Sequence, residues 1–224
     1  MLIVAGSALA LVADDRPNRT LSVTHTDRFN VPASVSIQLE NSFGEIDVDG
    51  WDLPEVEVTV TKSVEDLFSE KGRAQKRLDS IQIAVKQDGG GTIISTVYPQ
   101  QPGFSHLFDR RGDVGISYRI RAPRASKVVI EHNRGGLNVT GITGDIHATV
   151  DRGQITLTLP DGPYAVDAKC KIGRVYSDFE GHDQRHHLFG EVFDRQSAVA
   201  PNLYLRAAFG DIIILKPSKL PHAE

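Results

Sequence analysis

The densest group of potential metal ligands is His182, His186 and His187, in the stretch EGHDQRHHLFG. On a helix His182 and His186 would share a face and offer two imidazoles to one ion. Their neighbours Gly181, Asp183 and Arg185 make a polar loop instead, and a metal needs a third converging ligand that spacing alone does not place. Solvated loop histidines are the expectation, and no metal site is assigned. Arg111-Gly112-Asp113 spells the tripeptide that integrin ligands carry, at a point where a loop must turn into a strand, so Gly112 is read as a turn residue.

Carboxylates recur beside glycines, as Asp145, Asp151, Asp161 and Asp211. Two of them brought within ~5–10 Å would suit glycoside chemistry. An Asp next to a turn glycine also accepts hydrogen bonds from nearby backbone N–H groups. That role is expected here, because Trp51 is the chain's one Trp and the carboxylates lack flanking aromatic platforms. There is no Gly-x-Ser-x-Gly elbow, and Gly89-Gly90-Gly91-Thr92 lacks both the spacing and the Lys of a phosphate loop. Cys170, in AVDAKCKI, alternates with Ala168 and Ile172 and reads as a small core residue. No catalytic, cofactor-binding or metal-ligating residue is assigned, and no cofactor is expected.

The elements that would carry these residues are strands. Gly-x-apolar recurs at Gly135, Gly144, Gly153 and Gly162, in steps of 9 residues, and again at Gly173, Gly190 and Gly210, with an early copy at Gly44-Glu45-Ile46. Between the glycines the residues alternate: Ile146, Ala148 and Val150 oppose Asp145, His147, Thr149 and Asp151. That is the pattern of half-buried strands joined by tight turns. So short a unit cannot bury its own apolar face and has to stack on its neighbours. An all-β chain is predicted, a β-solenoid-like stack with repeats of ~9–10 residues. Its inward residues include Leu137, Val139, Ile146, Val150, Ile155, Leu157, Val175, Ile212 and Ile214, with Gly144 and Gly153 at equivalent corners of positive φ. Val56, Val58 and Val60 mark another strand, and Ile81 to Val97 a hairpin turning at Asp88 to Gly91. One short helix is expected near 64–79, where the period changes and Lys71, Arg73, Lys76 and Arg77 crowd the C-terminal half.

With 40% hydrophobic and 24% charged residues and a net charge of −4, the 224-residue chain has no basic excess, so nucleic acid and anionic lipid are not expected partners. Leu2 to Ala13 is an apolar run followed at once by Asp14-Asp15-Arg16. It is too short for the ~20 residues of a bilayer span, so no integral membrane span is expected. It has the length of a secretory h-region. The expected organisation is a signal-peptide remnant over 1–13 and one β-repeat domain over 14–224, exported to the periplasm or cell surface.

The segment SYRIRAPRASKVVIEHNRGGLNVTGITGDIHATVDRGQITL resembles the β-strand-repeat envelope domain of unknown function known as the putative-adhesin family. The resemblance rests on Ala122-Pro123, Asn133 to Gly136, Gly144-Asp145-Ile146, Gly210-Asp211-Ile212 and the earlier Asn41 to Ile46 copy, and runs roughly from Ser34 to Leu215. It implies a non-enzymatic binding or scaffolding protein of the bacterial envelope, whose partner is an unnamed surface ligand or envelope protein. The alternative is a carbohydrate-active solenoid enzyme, a lyase or hydrolase using the turn carboxylates.

Overall fold

The computed structural model describes residues 19–66, 76, 78–79, 82–88, 91–97, 114–185, 190–198 and 201–217. The first strands are β1 (Arg19–Asn30), β2 (Ser36–Phe43), β3 (Ile46–Trp51), β4 (Glu55–Asp66), β5 (Gln82–Asp88) and β6 (Gly91–Val97). Then come β7 (Val114–Pro123), β8 (Lys127–Arg134), β9 (Leu137–Thr140), β10 (Ile146–Arg152), β11 (Ile155–Thr158) and β12 (Ala165–Ile172). The last are β13 (Val175–Ser177), β14 (His182–Arg185), β15 (Glu191–Arg195), β16 (Asn202–Phe209) and β17 (Ile212–Leu215).

These strands form two sheets. The front sheet has nine strands, ordered β14-β15-β12-β16-β10-β8-β2-β6-β5; the back sheet has eight, ordered β1-β4-β7-β3-β9-β11-β17-β13. The unit that links them is an arch: a front strand, a glycine corner, then a back strand. The arches β2–β3, β8–β9, β10–β11, β16–β17 and β12–β13 stack in parallel and in register.

Alternation fills the space between the sheets. In β10 the burial runs Ile146, Ala148 and Val150 inward, with His147 and Asp151 exposed. Every expected inward aliphatic is buried except Val175, which is partly buried and packs against the same core. A fully buried Val, Leu or Ile contributes about 1.5–3 kcal/mol, so many arches share the stabilisation and none dominates it. Val64 and Leu78 form a second, small cluster with Leu21 and Val23.

Two expectations are corrected, and two are not shown. The structural repeat is the whole arch with its return: the matching corners Gly135 and Gly153 lie 18 residues apart, so the nine-residue step is half a unit. Gly144 is therefore not equivalent to Gly153; it sits at the opposite corner and lacks the positive φ that Gly153 has at 147°. A continuous solenoid winding is not shown, because β16–β17 lies between β10–β11 and β12–β13 although it follows both in the chain. The helix over 64–79 is not shown either. Val64 to Asp66 belong to β4, where Val64 pairs with Leu21, and beyond them only Lys76, Leu78 and Asp79 are described, with helical backbone.

β1 is a 12-residue edge strand hydrogen-bonded to β4 alone. His25 and Asp27 stand opposite the buried Val60 and Val58, so they point to the core side, where they pair at 3.0 Å. Inward-pointing charge on an edge strand discourages another chain from adding to it.

Candidate interaction surface

The outward residues of β15, β12, β16 and β10 make one lateral row on the front sheet. The register places Asp194 opposite Asp167, Asp167 opposite Tyr204, and Tyr204 opposite His147. Each is outward because its strand neighbours, such as Ala168, Phe193, Leu203, Leu205 and Ala148, are buried. Such cross-strand neighbours stand close enough to fix one another's side chains.

The centre of the row is locked. The His147 and Tyr204 rings lie 4.3 Å apart, tilted by 42°, and the Arg206 guanidinium sits 3.8 Å from the Tyr204 ring centre. Arg206 Nη2 meets Asp167 Oδ2 at 2.5 Å, while Nη1 donates to the Asp167 carbonyl at 2.8 Å and to the Leu205 carbonyl at 2.9 Å. Burial works against the charge on Arg206, but the Asp167 carboxylate outweighs it and its pKa is raised.

Beside this cluster lies an open groove of about 460 Å³, lined by Asp167, Asp194, Arg195, Gln196, Ser197 and Asn202 together with Ala165, Val166 and Leu203. Arg195 donates to the Gly162 carbonyl and stacks on Phe179, which holds it at the groove wall. Asn202 is held through its backbone N–H, which donates to Asp145 at 2.8 Å. Asp194 is half-buried, and its side chain makes no hydrogen bond or ion pair among the described residues, although its backbone is paired to β12 and β14. Two carboxylates directly opposite each other repel. Arg206 relieves that repulsion from the Asp167 side only.

The sequence-derived candidates are dispersed. His182 is exposed in β14, opposite Asp194, while His186 and His187 lie outside the described residues. No group of three or more His, Cys, Asp or Glu among the described residues is placed to hold a metal. Arg111, Gly112 and Asp113 lie outside them too, as do Gly89, Gly90 and the apolar run 2–13. Asp145 accepts from the Asn202 backbone, Asp211 from the Arg174 backbone at 2.8 Å, and Asp161 meets Lys216 Nζ at 2.9 Å. Asp145 and Asp211 thus accept from backbone N–H groups of neighbouring strands 57 and 37 residues away, not from their own turns. Asp145 and Asp151 flank opposite ends of β10, about 20 Å of extended chain apart. Cys170 is buried beside the Glu191 backbone, and burial pushes its thiol pKa up. Ile172 does not share its inward setting: at the arch corner it is 48% exposed beside Phe209, at 50%.

Tyr204, Arg206, Asp167 and Asp194 were not singled out by the sequence, since they converge only through the pairing of distant strands. The visible signal was the alternation of Asp167 and Lys169 in β12 and of Tyr204 and Arg206 in β16.

No protein-family model matches the sequence, and no curated protein matches it. Among solved structures, the chain is similar to one described as a "putative cell adhesion protein" from Clostridium sporogenes, with TM-score 0.51 and 9% identity over 86% of this chain and 99% of that one. At that identity the likeness speaks for the fold alone. A "putative adhesin" from Bacteroides fragilis matches over 86% of this chain and 97% of its own, at 11% identity and TM-score 0.29, too low to carry the arrangement further.

Proposed function

We propose that this chain is a non-enzymatic binding or scaffolding module of the bacterial cell envelope, acting outside the cytoplasm through the outer face of its front sheet. The observation that carries the reading is the outward row His182-Asp194-Asp167-Tyr204-His147, held in register on paired strands, in which the Asp194 carboxylate has no side-chain partner among the described residues. A surface held in one geometry binds without first ordering its side chains, which otherwise costs affinity. The likeness in fold to the structure described as a "putative cell adhesion protein" supports the same reading. The separation of Asp145 from Asp151 weighs against the paired-carboxylate alternative, since glycosidases hold their two carboxyls within about 10 Å.

The test is capture. Immobilised protein incubated with isolated cell walls and with extracellular-matrix preparations is expected to retain one of them, and a charge-reversing Asp194→Lys variant to retain less. Equal capture by both proteins would remove the front face from the account. Cell fractionation with sequencing of the mature N-terminus tests export separately, and an intact Met1 in the cytosolic fraction would overturn it.

A further inference from the structure

The glycine corners repeat the same two positions in every arch, and one step between arches departs from the pattern. The residue just after each corner precedes Ile46, Leu137, Ile155, Ile212 or Val175, which pair in register, so Glu45, Gly136, Gln154, Asp211 and Arg174 stand in one row. At two steps along it a carboxylate caps the backbone of the next arch: Gly136 N–H donates to Glu45 Oε1 at 3.0 Å, and Arg174 N–H to Asp211 Oδ1 at 2.8 Å. The same step onto Gln154 starts from Gly136, which has no side chain to give. The Gln154 N–H accordingly has no acceptor among the described residues.

Just before the corner, Arg134 and Arg152 stand directly opposite each other in the same two arches, both exposed. Neither makes an ion pair among the described residues, and Arg152 only leans over the Phe209 ring, at 5.7 Å. Like charges opposite each other across a strand pair repel, and an anion between them removes that cost. We infer that the corner between β8–β9 and β10–β11 binds a carboxylate of an acidic segment of a partner protein, held by the Gln154 N–H and the Arg134 and Arg152 guanidiniums. The class follows from the stack itself, since the group on the N–H at the equivalent steps is a Glu or Asp carboxylate. Guanidinium adds a planar fork that matches two carboxylate oxygens. Glu45, Asp151 and Asp211 balance Arg134, Arg152 and Arg174 in number, so selection rests on contact and not on a long-range field. The N–H groups of Glu45 and Asp211 also lack acceptors among the described residues, but their own carboxylates repel an incoming one. This corner lies at the opposite end of β10 from His147, so it is a surface separate from the front-face row.

The experiment is an amide-resolved NMR titration of the whole isotope-labelled chain with a soluble glutamate-rich peptide, with inorganic phosphate and polygalacturonate as comparators. The expected result is a saturable shift of the Gln154 amide with the peptide, reduced by added salt. Arg134→Ala and Arg152→Ala should each weaken binding by about two- to fivefold, the worth of an exposed ion pair. Gly136→Asp should abolish it and raise the thermal midpoint, because the new carboxylate caps Gln154 as Asp211 caps Arg174. Position 136 admits a side chain: its φ lies outside the left-handed region, and the nearest atoms to an added Cβ all belong to the movable Glu45 carboxylate. Gly136→Ala, which adds the Cβ without a carboxylate, should still bind. Unfolding curves of the arginine variants that coincide with the parent's keep a folding defect from imitating the loss. No shift at Gln154, a tighter response to phosphate or polygalacturonate, or undiminished binding by both arginine variants would overturn the inference. Binding that survives Gly136→Asp, or is lost in Gly136→Ala, would overturn it too. Asp194→Lys should leave the titration unchanged, so failure here and failure of the front-face reading are told apart.

Discussion

A methyl group added to Gly153 would lie 1.8 Å from the carbonyl oxygen of Gly135, inside any possible contact. The same relationship runs down the stack. A Cβ on Gly135 would meet Gly44 O at 1.8 Å, one on Gly210 would meet Gly153 O at 1.9 Å, and one on Gly173 would meet Gly210 O at 2.1 Å. Hydrogen bonds interleave with these contacts: Gly135 N–H donates to the Arg152 carbonyl and Gly153 N–H to the Phe209 carbonyl, each at 2.9 Å. The corners form a column in which each glycine leaves room for the backbone of the next.

Gly153→Ala is accordingly expected to destabilise strongly. Its φ of 147° alone costs a side-chain-bearing residue about 1–3 kcal/mol, and the contact with Gly135 adds to that. Gly162→Ala is the comparison: its Cβ would meet only the Tyr164 ring, at 3.2 Å, without a positive φ. Thermal unfolding should show a large fall in midpoint for the first and a small one for the second. Gly144→Ala should also destabilise, through Ser126 O at 2.2 Å, though its φ is ordinary.

Glu57 is 7% exposed on the outer side of the back sheet, between Arg28 at 2.5 Å and Arg121 at 3.5 Å. Glu57→Ala leaves two guanidiniums beside an empty space and should cost about 1.5–3 kcal/mol. Both arginines are well exposed, which keeps the loss below that of a fully buried pair. Chemical denaturation should rank the parent as most stable, Glu57→Gln next and Glu57→Ala least.

Cys170 should behave as a core side chain. Burial raises its thiol pKa and closes it to solvent, so a disulfide reagent at mildly alkaline pH should react slowly with the native protein and at once with the unfolded chain. Prompt reaction of the native protein would contradict its place between the sheets.

Asp178 is expected to shape the acid limb. Its pKa is lowered, first by the Lys216 backbone N–H and then by the Tyr176 hydroxyl, both of which donate to it. A carboxylate with a lowered folded pKa stabilises fully above its unfolded value of about 3.9 and loses that contribution as pH falls through the folded one. The midpoint gap between the parent and Asp178→Asn should therefore be present at neutral pH and close in acid. A gap that widens in acid would reverse the assignment.

Much of this architecture was legible in the alternation itself. Ile146, Ala148 and Val150 against His147 and Asp151 fixed which face of β10 is buried, and the glycines marked every corner of the stack. What the spacing concealed was the difference between the two kinds of corner. Gly144 and Gly153 sit in the same local pattern, yet only the second carries the column of close backbone contacts, which depends on a neighbouring arch that local sequence does not specify. The candidate site was hidden for the same reason: His147 and Tyr204 stack across a pairing between strands 57 residues apart. Val64 shows the limit of periodicity in another way, since its partners Leu21 and Leu78 suit strand and helix equally well.

The place of β16–β17 between β10–β11 and β12–β13 means that this stack cannot be wound up in the order of its synthesis. When residues 165–177 leave the ribosome, their native neighbour does not yet exist, and the free edge of β10 is the nearest template. Val166 and Ala168 of β12 have the same inward alternation as Ile146 and Ala148, and Gly173 has the same corner conformation as Gly153. A β10–β12 pairing would therefore satisfy most local preferences while being wrong. Residues 202–215 have to enter between two arches already made, displacing any such premature pair. The final stretch of the chain thus acts as the keystone of the fold, the part that joins two arches synthesised before it.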